Sequence, residues 1–509
     1  MNGSNVVLTK VVVLVALLAA DVAVARTARM QPDWTIVYGT AKGSEGLAAE
    51  LLTGDLGDVL LREPGVYATH VLPCLPAEAF GSVTGNVFLV GTPASNDALA
   101  RYLRPGDVPE GGYLVRVVSE PTRDVVLLAG DTPAATIWAV SDFVADGVGS
   151  MKESLERGNG IIFTRMLFAD PDTFRSARRL PPYESRRKPQ TLVRSVFTWA
   201  HPIDDFRDYI RNLARLKMTR AYWWNDFPPI NAAEVVDYAH SWGIEVFWGF
   251  PWGWDTGDKL RSNAGKDLTV LAERTLSDWR KNWRDLPGDG IYFQTFTETD
   301  PSKIGDESIA ARAVRLVNDI AGTMFREKPE QRIVFGLHAT SVKDELATIA
   351  KTDRRLEILW EDTGSFPYSV NFKTSTEESE AFTQRIVSDR DHPVGIVWKC
   401  QLLQDWFNWH HQAGPYYLGV TSRKTYDDDR RIHDELWQHY LVNWTEKAPL
   451  AYAAAKHVHE VGEHVEMNVA AQLNGPIRYP TALLSELFFS TEESLETIRR
   501  RVLMRTRQH

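Results

Sequence analysis

From Val193 onward the chain alternates short apolar runs with amphipathic stretches of helical period, a rhythm that few folds accommodate. SVFTW (195–199) precedes a helical pattern over 204–216, RAYWWN (220–225) one over 231–241, and IEVFWGF (244–250) one over 267–284. GIYFQTFTE (290–298) precedes 307–326, RIVFGLH (332–338) precedes 342–350, and LEILWED (356–362) precedes 376–388. VGIVWKC (394–400) and YYLGV (416–420) complete eight candidate strands. Strands that are apolar along nearly their whole length must be covered on both faces, as in a parallel sheet wrapped by helices. Eight such units predict a closed (β/α)₈ TIM barrel over 191–429 rather than an open sheet. Residues 430–509 read as a C-terminal helical segment packed on the barrel's flank.

Ahead of the barrel, residues 26–168 read as a small α/β sandwich domain. WTIVY (34–38) and VFLVG (87–91) are buried-strand patterns, and a helical pattern lies near 44–53. GYLVRVV (112–118) and DVVLLAG (124–130) flank the turn residues PTRD and predict a hairpin. Thr132–Asp146 has helical periodicity and closes on Gly147 and Gly149. Residues 169–190, polar and rich in Arg and Pro, read as a linker. At the N-terminus, Lys10, the apolar run Val11–Ala20 and the small residues of Ala23-Val24-Ala25 before Arg26 form a signal-peptide pattern over 1–25. A secreted or periplasmic protein with no membrane span after signal removal is the expectation.

The formal charge of −10 argues against a nucleic-acid partner, because phosphate binding needs a basic face. Two cysteines, Cys74 and Cys400, cannot build a disulfide framework or a cysteine-based zinc site. His410-His411 has no matching acidic spacing, so neither a metal nor a cofactor is expected. The 17 tryptophans are the compositional outlier. Aromatic faces stack on sugar rings, and they also fill large cores.

A barrel of this kind carries its site at the C-terminal ends of its strands. Those ends hold Trp199, then Trp223, Trp224 and Asn225, then Trp248 and Trp252. Glu298 and His338 follow, then Glu361 and Asp362, and finally Trp398 and Lys399. So much Trp and acid on one rim points to an oligosaccharide or polysaccharide partner. Cleaving a glycosidic bond takes two carboxyl groups. Glu298, ending an apolar strand, is the candidate acid, with burial against aromatics expected to keep it protonated. Glu361 and Asp362 are the candidate second carboxyls, since adjacent strand residues put one of the two inward whichever way the pleat falls. The aromatic residues, Asn225 and His338 are candidate sugar contacts. Lys399 could bind a substrate carboxylate or pair with Glu361 or Asp362. The bland alternatives are a salt-bridged Glu298, a satisfied core His338, and a barrel that binds glycan without cutting it.

Several segments carry a resemblance to known families. DVVLLAGDTPAATIWAVSDFVADGVG resembles the end of the α/β domain that precedes the barrel in the xylan α-glucuronidases and, more distantly, the β-hexosaminidases. LARLKMTRAYWWNDF and YAHSWGIEVFWGFPWGW resemble the family 115 α-glucuronidases, and GIYFQTFTETDP resembles the family 67 segment around its acid. The resemblance implies an exo-acting glycoside hydrolase that removes a terminal sugar. It puts α-linked glucuronic acid first and a β-hexosaminidase-like activity second. It also implies that Glu298 is the acid and that Asp362 or Glu361 is its partner.

Overall fold

A computed structural model describes residues 34–60, 72–147, 180, 182–199, 203–224, 227–255, 263–299, 301–362, 381–382, 384–386, 393–399, 416–419, 444–471 and 477–506. The signal-peptide pattern, Cys400 and His410-His411 lie outside these residues. Cys74 is described, and its thiol is free and exposed.

The N-terminal domain is one six-stranded sheet. Its strands are β1 (Trp34–Tyr38), β2 (Cys74–Pro76), β3 (Asn86–Gly91), β4 (Tyr113–Ser119), β5 (Asp124–Gly130) and β6 (Glu184–Arg187), in the order β2-β1-β3-β5-β4-β6. β1, β2, β3 and β5 run parallel, while β4 runs antiparallel to both β5 and β6. The expected hairpin is therefore β4–β5. The stretch read as a linker contributes β6. Every residue of β5 is buried, because both faces are covered. One face packs Ile36, Phe88, Val126 and Leu128 against the helices Gly43–Leu60 and Pro133–Asp142. The other packs Val37, Leu89 and Leu127 against Phe80 and Leu99. Thr132 caps the second helix by accepting from the Ala135 amide at 3.2 Å, with Pro133 preset for the first turn.

The barrel is closed and parallel throughout. It comprises β7 (Arg194–Trp199), β8 (Arg220–Trp224), β9 (Glu245–Gly249) and β10 (Gly290–Gln294), then, past a two-stranded hairpin of β11 (Lys303–Ile304) and β12 (Glu307–Ser308), β13 (Ile333–His338), β14 (Glu357–Asp362), β15 (Val394–Lys399) and β16 (Glu466–Ala470). Seven of these fall where the sequence places them. The eighth does not. β16 pairs with β15 on one side and β7 on the other, so it closes the ring from within the segment read as helical. Residues 416–419 make only an isolated bridge, Tyr416 to Pro229. EMNVA fails the apolar-run criterion because two of its inward positions, Glu466 and Asn468, are buried and polar. Helical stretches over 444–461, Tyr479–Phe489 and Leu495–Arg505 flank β16. None of the described helices is long and apolar enough to cross a membrane.

Alternation along each strand divides the barrel into an inside and an outside. At the floor Arg220 pairs with Glu245 at 2.9 Å, Glu357 at 2.8 Å and Glu466 at 2.9 Å, closing the N-terminal end. Above it Phe197, Tyr222, Phe247, Tyr292, Val334, Leu359 and Val397 fill the lumen. A packed lumen confines any site to the upper rim.

The domains are joined by a buried ionic cluster. Lys217 lies between the helix Phe206–Arg215 and β8, with its side chain fully buried. Its amine meets Asp142, at the end of an N-terminal-domain helix, at 2.8 Å, and it also contacts Glu486 on the helix Tyr479–Phe489. Arg187 on β6 bonds Asp142 at 2.6 Å and Glu486 at 3.1 Å. Arg501 and Arg505, on the last helix, reach Glu486 at 3.2 and 3.0 Å. Lys217 has φ 58°, the one non-glycine residue with positive φ among those described. That left-handed geometry ordinarily favours glycine after a helix. Burial alone would raise the Asp142 and Glu486 carboxyls, but Lys217, Arg187 and Arg505 overturn this and hold both well below the usual carboxylate range.

Removing one partner from such a cluster strands the others in a dry interior. Glu486→Gln is expected to cost about 3–5 kcal/mol in chemical denaturation at neutral pH. Because the folded-state values of both carboxyls lie below the unfolded ones, their contribution is complete above pH of roughly 5 and fades as pH falls below about 4. The stability gap between wild type and Glu486→Gln should therefore narrow in acid. A gap independent of pH would count against a charged cluster.

Candidate active site at the barrel mouth

GIYFQTFTE is a strand only as far as Gln294, so Glu298 sits in the turn beyond β10 rather than at its end. That turn lifts it onto the rim, where its side chain keeps 30% exposure; the expected burial is partial. Glu298 Oε2 accepts a hydrogen bond from Trp254 Nε1 at 3.0 Å. His338 Nε2, at the end of β13, is 3.6 Å from the same oxygen. The Trp254 ring stands edge-on to Trp224 at 5.7 Å between centroids, and Trp224 stands edge-on to Tyr292 at 5.9 Å. A carboxyl, a buried imidazole and an aromatic corner thus converge at the top of the lumen.

The backbone explains how Trp254 comes to be there. After β9 the chain continues alongside β10, with Phe250 N donating to Tyr292 O at 3.0 Å and Trp252 N to Gln294 O at 2.9 Å. Trp252 itself stacks flat on Phe293 on the outside of the barrel, with centroids 3.6 Å apart. Gly253, at φ 85°, then turns the chain so that Trp254 meets the inward-facing side. Asn263 Nδ2 holds the Gly253 carbonyl at 2.9 Å.

Below this corner lies Glu361, fully buried on β14. Its Oε1 accepts from the Tyr292 hydroxyl, which in turn accepts from Gln294 Nε2 at 2.9 Å. To reach β14 from β10, Tyr292 crosses over β13 at Gly336, where a Cβ would overlap the phenol. Tyr292 and Gln294 were not among the residues singled out from the sequence. Their signal was the alternation in GIYFQ, which places Gly290, Tyr292 and Gln294 on one face.

The rim reading needs correction at four tryptophans. Trp223, Trp248, Trp252 and Trp398 face outward, beneath the helices, and do not line the mouth. Trp223 packs on Tyr209 and Trp248, and Trp248 Nε1 donates to Pro287 O at 2.6 Å. Trp398 packs on Phe488 of the helix Tyr479–Phe489. Adjacent residues on a strand point to opposite faces, so standing at a strand's end does not mean facing the lumen. Trp224 is the inward member of the Trp223-Trp224 pair. The structure brings Glu298, His338, Trp224 and Glu361 to one end of the barrel. Asn225 and the side chains of Trp199, Asp362 and Lys399 lie outside the described residues. Among the described residues no three His, Cys, Asp or Glu side chains gather as a metal would require.

No family model matches the sequence, and no curated protein matches it. Among the solved structures similar in outline are glycoside hydrolases. One is a family 138 enzyme targeting pectin rhamnogalacturonan II, at TM-score 0.46 and 9% identity, covering 91% of this chain and 64% of its own. A family 89 glycoside hydrolase from Clostridium perfringens gives 0.44 and 10% identity, covering 90% and 51%. A family 5 xyloglucanase from Paenibacillus pabuli gives 0.35 and 10% identity, covering 57% and 96%. This chain spans less than two thirds of the length of the first two.

The Tyr292–Glu361 contact depends on the space at Gly336. Gly336→Ala is expected to push the phenol aside and to destabilise the fold by about 1–3 kcal/mol through overpacking. Denaturant titration reads the cost. A variant of wild-type stability would show that the crossing is not tight.

Proposed function

We propose that this chain is an exo-acting glycoside hydrolase, with Glu298 as general acid and Glu361 as its second carboxyl. The observation that carries the reading is Glu298 itself: a half-buried carboxyl at the mouth, held by an indole N–H beside an aromatic corner. Such a group can give a proton to a leaving oxygen while Trp254, backed by the buried Trp224, lies against the sugar. Asp362, next in sequence to Glu361, is the alternative second carboxyl. For the sugar we propose α-linked glucuronic acid on a plant-type polysaccharide, on the strength of the segments resembling the α-glucuronidases. Lys399, ending β15, would bind the uronate carboxylate.

One observation favours a second reading. Glu361 is fully buried and tied to Tyr292, as a purely structural carboxylate would be. In that case the barrel binds a glycan at Glu298 and the aromatic corner without cleaving it.

Hydrolysis of aryl glycosides and glucuronic-acid-bearing xylo-oligosaccharides, by wild type and Glu298→Gln, separates the two. The hydrolase reading expects one sugar to be released, with roughly 10²–10⁴-fold loss in the variant. Glycan binding by wild type without any turnover would sink it in favour of the binding protein. An exported location belongs to the same proposal, and N-terminal sequencing of protein recovered outside the cytoplasm should then begin at Arg26. Recovery with Met1 intact would rule the leader out.

A further inference from the structure

Glu298 carries two oxygens, and the structure treats them differently. Trp254 Nε1 lies 3.0 Å from Oε2, and His338 Nε2 lies 3.6 Å from that same oxygen. Among the described residues both contacts converge on Oε2. An indole nitrogen can only donate, so Oε2 must offer it a lone pair. A proton on Oε2 would compete with that bond; a proton on Oε1 would not.

We propose that Trp254 is a positioning residue that keeps the Glu298 proton on Oε1 and strengthens Glu298 as an acid. The inference rests on the hydrolase reading for its consequence in turnover, though not for the contact itself. When the proton leaves Oε1 for the glycosidic oxygen, the C–O bond breaks and its electron pair goes to that oxygen. Glu298 is left as a carboxylate. The Trp254 bond then becomes charge-assisted, and so it is stronger after transfer than before. An interaction that grows as charge develops lowers the barrier rather than merely holding the ground state. The anchoring of the segment fits this role. Trp252 stacked on Phe293, the two backbone bonds to β10 and the Asn263 clasp all fix Trp254 before substrate arrives.

Trp254→Phe keeps a ring against Trp224 and deletes only the donor. Turnover of glycosides with poor leaving groups should fall about 10-fold. Nitrophenyl glycosides, whose leaving group needs no proton, should change little. Independently of turnover, the indole ¹⁵N–¹H resonance of Trp254, assigned by its loss in Trp254→Phe, should shift in Glu298→Ala, which deletes the acceptor. Turnover of poor leaving groups unchanged in Trp254→Phe, or an indole resonance indifferent to Glu298→Ala, overturns the inference and leaves the hydrolase reading standing. A Glu298-dependent indole resonance without turnover of any glycoside sustains the pairing and sinks the hydrolase reading instead.

Discussion

The ionic cluster around Lys217 is what makes two domains and a C-terminal extension into one body. Its members come from the last turn of an N-terminal-domain helix, an edge strand of that domain's sheet, the first βα unit of the barrel, and the two final helices. Each charge is tolerable only because the others are present, since lone ions in a dry interior are several kcal/mol out of balance. Geometry is subordinated to this pairing. A lysine adopts the left-handed backbone usually left to glycine, because only a long cationic chain can satisfy two carboxylates from that position.

The site inherits its rigidity from the same economy of shared supports. Arg220 and its three carboxylates seal the floor, the aromatic lumen stacks on them, and the rim stands on that column. Neither Glu298 nor Trp254 belongs to a strand. Trp254 is held by the segment that runs beside β10 and Glu298 by the turn that follows β10, so the acid and its donor rest on the same stretch of barrel wall.

How much of this was legible in the sequence depends on which physical signal each part leaves. Seven barrel strands and the β4–β5 hairpin announce themselves because burial on both faces demands continuous apolar runs. β16 does not, because its Glu466 and Asn468 belong to the polar floor and interrupt the run. At the mouth, residue type was readable but direction was not. Trp223 and Trp224 look alike in sequence, yet one turns to the helices and the other to the lumen. The crossing of Tyr292 over Gly336 to Glu361 joins three strands, and no local pattern encodes such a contact.

The position of β16 bears on how the chain acquires its shape. Between β15 and β16 lie more than sixty residues, so seven strands are synthesised well before the one that seals them. Until residue 470 has emerged, β7 and β15 each present an unpaired edge, and the Arg220 floor lacks one of its three carboxylates. Folding therefore cannot finish progressively from the N-terminus. It must wait for a late arrival, and the waiting chain is exposed to edge-to-edge association. The sealing of the ring, rather than the formation of any single unit, is the step that commits the chain.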